Sequence, residues 1–362
     1  MPHLARLFCG LVLLAGQVRG AAAQEQPLSR IGFGSCAKQD KPQPIWDAVV
    51  AARPELFLFL GDNIYADTQD LQVIWGKYLL LGAQPGFQKL KQTCPILATW
   101  DDHDLGANDA GGEFPKKKES QQLFLDFFGI PKDSPRRQQE GVYHAQAFGP
   151  EGKRVQIILL DTRYFRSRLK LGFQKGEPGE GRRGQYVPNT DPEAMVLGPQ
   201  QWAWLEKQLR IPAELRVICS SFQLVADEHG SEGWGNFPRE RERLIKLIRD
   251  TGAAGAVVIS GDRHLAEVAR LPAESGVGYP LFDITSSSLN EPSGNTTKAG
   301  TRFANEINSY RVGLTYFDTN FGFIDVDWKE PDPVVRLQVR DEKGDVVLQQ
   351  RLRLSQLRPA AK

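Results

Sequence analysis

Glu55-Leu-Phe-Leu-Phe-Leu-Gly-Asp-Asn-Ile-Tyr65 decides the fold. Its first six residues form an apolar run that reads as a buried strand. The run stops at Gly61-Asp62 and so sets a carboxylate at the carboxyl end of a sheet, where open α/β folds bind ligands. Three later segments repeat the arrangement. Pro95-Ile-Leu-Ala-Thr-Trp100 leads into Asp101-Asp102-His103-Asp104, Gln156-Ile-Ile-Leu-Leu160 into Asp161-Thr162-Arg163, and Ala256-Val-Val-Ile-Ser260 into Gly261-Asp262-Arg263-His264. Several apolar strands that each deliver Asp, with His or Tyr close by, are the makings of a multi-metal hydrolytic centre.

Around this frame the pattern alternates between helix and strand. Ile31-Gly-Phe-Gly-Ser-Cys36 reads as a first strand breaking into a Gly-rich turn, and residues 44–52 as the crossover helix of a βαβ unit. Residues 71–93 look helical with interruptions at Gly82 and Pro85, and 117–129 read as an amphipathic helix. Residues 141–148 alternate and turn through Gly149-Pro-Glu-Gly152 into the strand at 155–160, as in a hairpin. Residues 166–193, rich in Gly, Arg and Lys, read as a long surface insertion. Helices are expected at 199–209 and 239–249, and strands at 217–222, 266–271 and 281–285. From Gly322 to Leu354 strong alternation predicts an antiparallel pair. The whole reads as one α+β domain built on two facing sheets.

The composition is that of a soluble globular protein, at 41% hydrophobic and 25% charged residues. A formal charge of +1 argues against a stable nucleic-acid or anionic-membrane partner bound by bulk electrostatics. At the N-terminus, Arg6 precedes an apolar run over 7–15, and Ala21-Ala22-Ala23 offers a cleavage site before Gln24. The run is shorter than the roughly 20 residues needed to span a bilayer. Residues 1–23 therefore read as a secretory signal peptide, with 24–362 as the single mature domain and a periplasmic or extracellular destination. No obligate protein partner is evident. Cys36, Cys94 and Cys219 then remain, an odd number that leaves at least one thiol free or ligated. Cys94 and Cys219 sit at strand edges and read as small core residues.

Carboxylates and imidazoles at strand ends suit hard or borderline cations. Asp62 reads either as a carboxylate bridging two ions or as a helix N-cap. Tyr65, three residues on, can return to the same ion as a phenolate, which favours Fe(III); taken alone, a buried hydrogen-bonded Tyr is the simpler reading. Asp101, Asp102 and Asp104 repel one another and need cations nearby. Asp262 and His264, at i and i+2 on an extended strand end, should face one side and serve one cluster. Arg163 can grip a phosphate oxygen or pair with Asp161 or a helix acid.

Gly34-Ser-Cys36, Gly61-Asp-Asn-Ile-Tyr65, Thr99-Trp-Asp-Asp-His-Asp104, Leu160-Asp-Thr-Arg163 and Ser260-Gly-Asp-Arg-His264, in this order, resemble the motifs of the PhoD-type alkaline phosphatases. Gly198-Pro-Gln-Gln-Trp-Ala-Trp-Leu205, Phe237-Pro-Arg-Glu-Arg-Glu242 and Asp283-Ile-Thr-Ser-Ser287 extend the resemblance, which runs from about Ile31 to Leu289. That family is similar in core to the purple acid phosphatases and the calcineurin-like metallophosphoesterases. The resemblance implies a four-layer α/β/β/α sandwich of two mixed sheets flanked by helices, and a phosphate ester substrate. It implies Cys36 as a thiolate ligand to iron, Asp62 as the bridge and Tyr65 as the phenolate. It places Asp102 on the second metal, His103 facing the leaving group, and Asp262 with His264 as the closing ligand pair. Asn108 stands as a further ligand or phosphate contact. The implied metals are one Fe(III) and Ca²⁺, the latter suited to a carboxylate-rich site with few imidazoles. One departure is visible: no His in 210–230 clearly supplies an extra imidazole for the second metal, and His229 reads as a surface residue.

Overall fold

A computed structural model describes residues 26–172, 185–294 and 303–359. The proposed signal segment 1–23 and residues 173–184 of the insertion lie outside these. In chain order the strands are β1 (Arg30–Gly34), β2 (Leu56–Leu60), β3 (Ile96–Thr99), β4 (His144–Phe148), β5 (Val155–Leu159), β6 (Lys170–Leu171), β7 (Tyr186–Val187), β8 (Leu215–Cys219), β9 (Ala256–Ser260), β10 (Ala266–Leu271), β11 (Leu281–Ser286), β12 (Asn320–Asp327), β13 (Val334–Asp341) and β14 (Val346–Arg353). The helices are α1 (Ile45–Ala51), α2 (Leu71–Ala83), α3 (Pro85–Thr93), α4 (Asp102–Leu105), α5 (Lys117–Phe127), α6 (Gly198–Leu209) and α7 (Pro238–Asp250).

Two six-stranded mixed sheets form, ordered β14-β13-β12-β1-β2-β3 and β10-β11-β9-β8-β5-β4. The strands that carry the motifs are parallel within each sheet: β1, β2 and β3 in one, β5, β8, β9 and β11 in the other. Their carboxyl ends therefore open onto a common edge.

The strand residues assign the layers by alternation. Leu56, Leu58 and Leu60 enter the core shared with the second sheet, among Val217, Cys219 and Ile259. Phe57 and Phe59 enter the other core, under the first helical layer, where Trp46 of α1 meets both rings at 5.6 and 5.7 Å. Each such side chain stabilises by about 1.5–3 kcal/mol through burial. On the second sheet, α6 and α7 add Trp202, Leu205, Leu209, Leu244 and Ile248 to the shared core. The result is the four-layer α/β/β/α sandwich.

Two glycines set the approach of the motif turns. At Gly61, φ is +106° and a Cβ would stand 2.5 Å from the Asp101 Cβ, so only glycine lets the β2 turn lie against the β3 turn. At Gly261 a Cβ would stand 2.5 Å from the Ser35 Oγ, which closes the β9 end of one sheet on the β1 end of the other.

Three local expectations change. The C-terminal segment makes three antiparallel strands, β12 to β14, because the turn at 342–345 divides the last alternating run. The strand expected at 217–222 runs from Leu215 and ends at Cys219, leaving Ser220 and Ser221 in the turn. No helix starts at Asp62; the next one, α2, begins at Leu71 with Asp70 as its cap.

Candidate metal centre

Nearly every motif residue lies just past the end of a parallel strand, and many turn sharply there. Cys36, Asp62, Asp262 and His264 have φ of +60°, +48°, +67° and +54°, and Asp109, in the turn after α4, has +55°. A left-handed backbone costs an L-residue about 1–2 kcal/mol. Such strain is found where structure is held for function.

A first group joins both sheets. Ligand atoms of Cys36, Asp62 and His264 all lie within 4.8 Å of one another. The Cys36 Sγ is 3.4 Å from Asp62 Oδ2 and 3.2 Å from Ser287 Oγ. The Tyr65 hydroxyl lies 3.3 Å from His264 Nε2. Burial pushes the Cys36 thiol up to about 12. Burial, then the charges of Cys36 and Asp102, raise Asp62 well above the carboxylate range, and burial with Cys36 and Asp62 raises Tyr65. Asp62 Oδ1 is buried with no hydrogen-bond donor. Anionic donors crowded in a dry site, one with an orphaned oxygen, fit a cation among them.

The second group is carboxylate-rich and turns on Asp102. Asp102 gathers with Asp62 and His103, with Asp101 and Asp262, and with Asp109 and Glu232. Burial opposes its charge, but Arg163 and His103 hold its carboxyl well below the usual range. Arg163 is fully buried; it binds Asp101 through Nε and both oxygens of Glu232 at 2.8 Å through one terminal nitrogen. Its other terminal nitrogen makes no hydrogen bond and lies 3.8 Å from Asp102. Arg166, also fully buried, meets Glu232 at 2.9 Å. Burial still lifts Asp101 to about 6 and Glu232 to about 8 against these arginines.

His103 stands at the seam. Its Nδ1 lies 2.7 Å from Asp67 Oδ1, and its ring is 4.3 Å from that of Tyr65. Burial opposes its charge, yet Asp102 and then Asp67 raise it to about 9.

Several sequence expectations meet a different geometry. Asp262 and His264 do not project from an extended strand: β9 ends at Ser260, both residues turn left-handed, and they join different groups. Asp104 needs no cation, because its oxygens accept the N–H groups of Asp101, Asn63 and Ile64, the Asn63 amide and the Tyr78 hydroxyl. Asp161 shapes its own turn, accepting the N–H groups of Arg163, Tyr164 and Val142 at 2.8 Å each. The Arg163 guanidinium passes it by for Asp101 and Glu232. Asn108 is exposed, whereas its neighbour Asp109 faces the cluster. His229, expected at the surface, is half-buried: its Nδ1 accepts the Ser231 N–H at 3.1 Å, and burial with Arg263 and Arg311 lowers it well below its usual range. Asp109, Arg166, Tyr186 and Glu232 escape a reading of the sequence. The loop 227–233 draws notice there for its His, while Glu232 is the residue that enters the site.

Facing mixed sheets with a thiol, carboxylates and imidazoles gathered at their common carboxyl edge define a sandwich of the metallophosphoesterase type. The model of one family within that type, the PhoD-like phosphatases, matches residues 31–336, and the chain belongs to it. Alkaline phosphatase D of Bacillus subtilis (strain 168) is 22% identical over 213 residues. That alignment covers 54% of this chain and 34% of the relative, so the chain matches about a third of that protein's length. A solved structure of PhoD has a TM-score of 0.66 at 16% identity, covering 91% of this chain and 72% of that one. GAP50, described as the anchor in the inner membrane complex of Plasmodium, has a TM-score of 0.53 at 14% identity, covering 91% and 89%. These two likenesses speak for the fold.

Proposed function

We propose that the protein is an exported, metal-dependent phosphoric ester hydrolase acting on phosphomonoesters, phosphodiesters or both. The observation that supports this most is the double membership of Asp62, which stands with Cys36 and His264 in one group and with Asp102 and His103 in another. One carboxylate within reach of two sites is what a bridge between two ions requires. Cys36, Asp62, Tyr65 and His264 would hold Fe(III), which takes phenolate and thiolate well. Asp62, Asp102 and Asp262 would hold Ca²⁺, a cation that prefers oxygen donors. Asn108, expected to join them, is exposed, and Asp109 is better placed.

When bound, the cations neutralise phosphate oxygens and supply a nucleophilic water near neutral pH. The chain's own residues position and protonate the ester. Asp67 occupies His103 Nδ1, so the proton at Nε2 is the one His103 can give to a leaving oxygen. The uncommitted terminal nitrogen of Arg163 can take a non-bridging oxygen, while its other nitrogens stay fixed on Asp101 and Glu232. Export through a cleaved segment 1–23 is part of the same reading, and N-terminal sequencing of the secreted product tests it. No helix among the described residues is long and apolar enough to cross a membrane.

The test is metal analysis of the purified protein beside hydrolysis of p-nitrophenyl phosphate and bis-p-nitrophenyl phosphate, with and without EDTA. Iron and calcium in stoichiometric amounts, with turnover lost on chelation, are expected. A folded protein that stays inert after metal addition would overturn the reading.

A further inference from the structure

The strand pair β6–β7 lies within the insertion, with Leu171 paired to Tyr186. Tyr186 then reaches back to the metal centre: its hydroxyl donates to Asp109 Oδ2 at 2.5 Å. Its own backbone N–H donates to the Gly230 carbonyl at 2.9 Å, in the loop that carries Glu232. Asp109 has its main chain fixed separately. Its backbone is left-handed, its N–H donates to Asp102 Oδ2 at 2.5 Å, and its carbonyl accepts from Arg166. These bonds fix the main chain of Asp109, while the Tyr186 phenol fixes its carboxylate.

Resting on the two-cation reading of the site, we propose that Tyr186 is a positioning residue for the carboxylate-rich half. By orienting Asp109 beside Asp102, it sets the affinity for the cation bound there. The physical warrant is general: partners that hydrogen-bond a metal's ligands orient them, and removing one typically lowers metal affinity about 10–100-fold. A freed Asp109 carboxylate would have to be ordered again on each binding event.

Tyr186→Phe keeps the ring and removes the donor. The full-length protein, depleted of calcium with EGTA while retaining iron, is titrated with Ca²⁺ by calorimetry. The variant should bind with a Kd raised about tenfold or more. Its visible iron absorption and its calcium-free melting temperature should match the wild type, which a merely structural loss would not allow. In an Asp109→Ala background, Tyr186→Phe should cause no further loss of affinity. Equal Kd values for Tyr186→Phe and wild type, or additive losses in the double variant, would overturn the assignment. If wild type hydrolyses esters but takes up no calcium, the assignment falls and the hydrolase reading stands. If the calcium shift appears in a protein that hydrolyses no ester, the assignment stands and the hydrolase reading falls.

Discussion

The two halves of the site balance charge in opposite ways. Around Asp101 and Glu232 the chain supplies its own cations, the fully buried Arg163 and Arg166. Around Cys36 and Asp62 it supplies hydroxyls, Ser35 and Ser287, and among the described residues no Lys or Arg pairs with Asp62. Both halves are equally dry. One half therefore carries two buried arginines as built-in counter-charges, and the other places no Lys or Arg, among the described residues, in an ion pair with Asp62. Removing one carboxylate should have opposite consequences in the two places.

The largest effect is expected at Asp62. Asp62→Asn should lose iron and with it several kcal/mol of transition-state stabilisation, a fall in turnover of about 10³-fold. In the metal-free state the same change relieves burial of a charge beside Cys36 and Asp102, so thermal stability in chelator should hold or rise. Turnover, iron content and melting temperature on one preparation decide it. Wild-type turnover sinks the assignment of Asp62, and a lower metal-free melting temperature breaks the contrast between the halves.

Glu232→Gln is the counterpart. It leaves two buried guanidinium groups without their shared carboxylate, so it should destabilise the protein by about 3–5 kcal/mol with or without metal. Denaturant midpoints measured both ways test this. A midpoint that moves only in the metal-loaded protein would make Glu232 a ligand first and a counter-ion second. Cys36→Ala is smaller in energy but sharp in signature. It should bleach any visible absorption arising from thiolate bound to iron while leaving the Glu232 network intact. An unchanged spectrum removes Cys36 from the ligand set.

How much of this contrast the sequence reveals follows the same division. The nest of Cys36 and Asp62 is legible, because each follows an apolar strand or a Gly-rich turn in a local pattern. The arginine network is less so. Glu232 sits in a polar loop whose sequence marks no position as buried, and its partner Arg163 lies 69 positions away. Asp109 is masked by Asn108 beside it, since a turn's sequence does not say which of two neighbours faces inward. The i, i+2 argument for Asp262 and His264 assumes extended backbone, and left-handed residues on either side of Arg263 undo it. Sequence period speaks for strands and helices. It is silent on the turns after them, and most of this site is turns.

His103 touches both halves and gives the finest test of how they meet. In the metal-free protein its folded value of about 9 exceeds the usual 6.5. Its contribution to stability is therefore complete below about pH 6.5 and is lost as pH rises through about 9. The charge of Asp102 is the largest single favourable cause, followed by the hydrogen bond and then the charge of Asp67. Asp67 is half exposed, so its pair with the ring is worth about 1 kcal/mol or less. Asp67→Asn should then lower the His103 pKa by less than about one unit, read by NMR titration of the metal-free protein. A fall all the way to the value of a free imidazole would mean that the exposed Asp67 governs the ring. No shift at all would mean that the buried Asp102 holds it alone, and that His103 belongs to the carboxylate half.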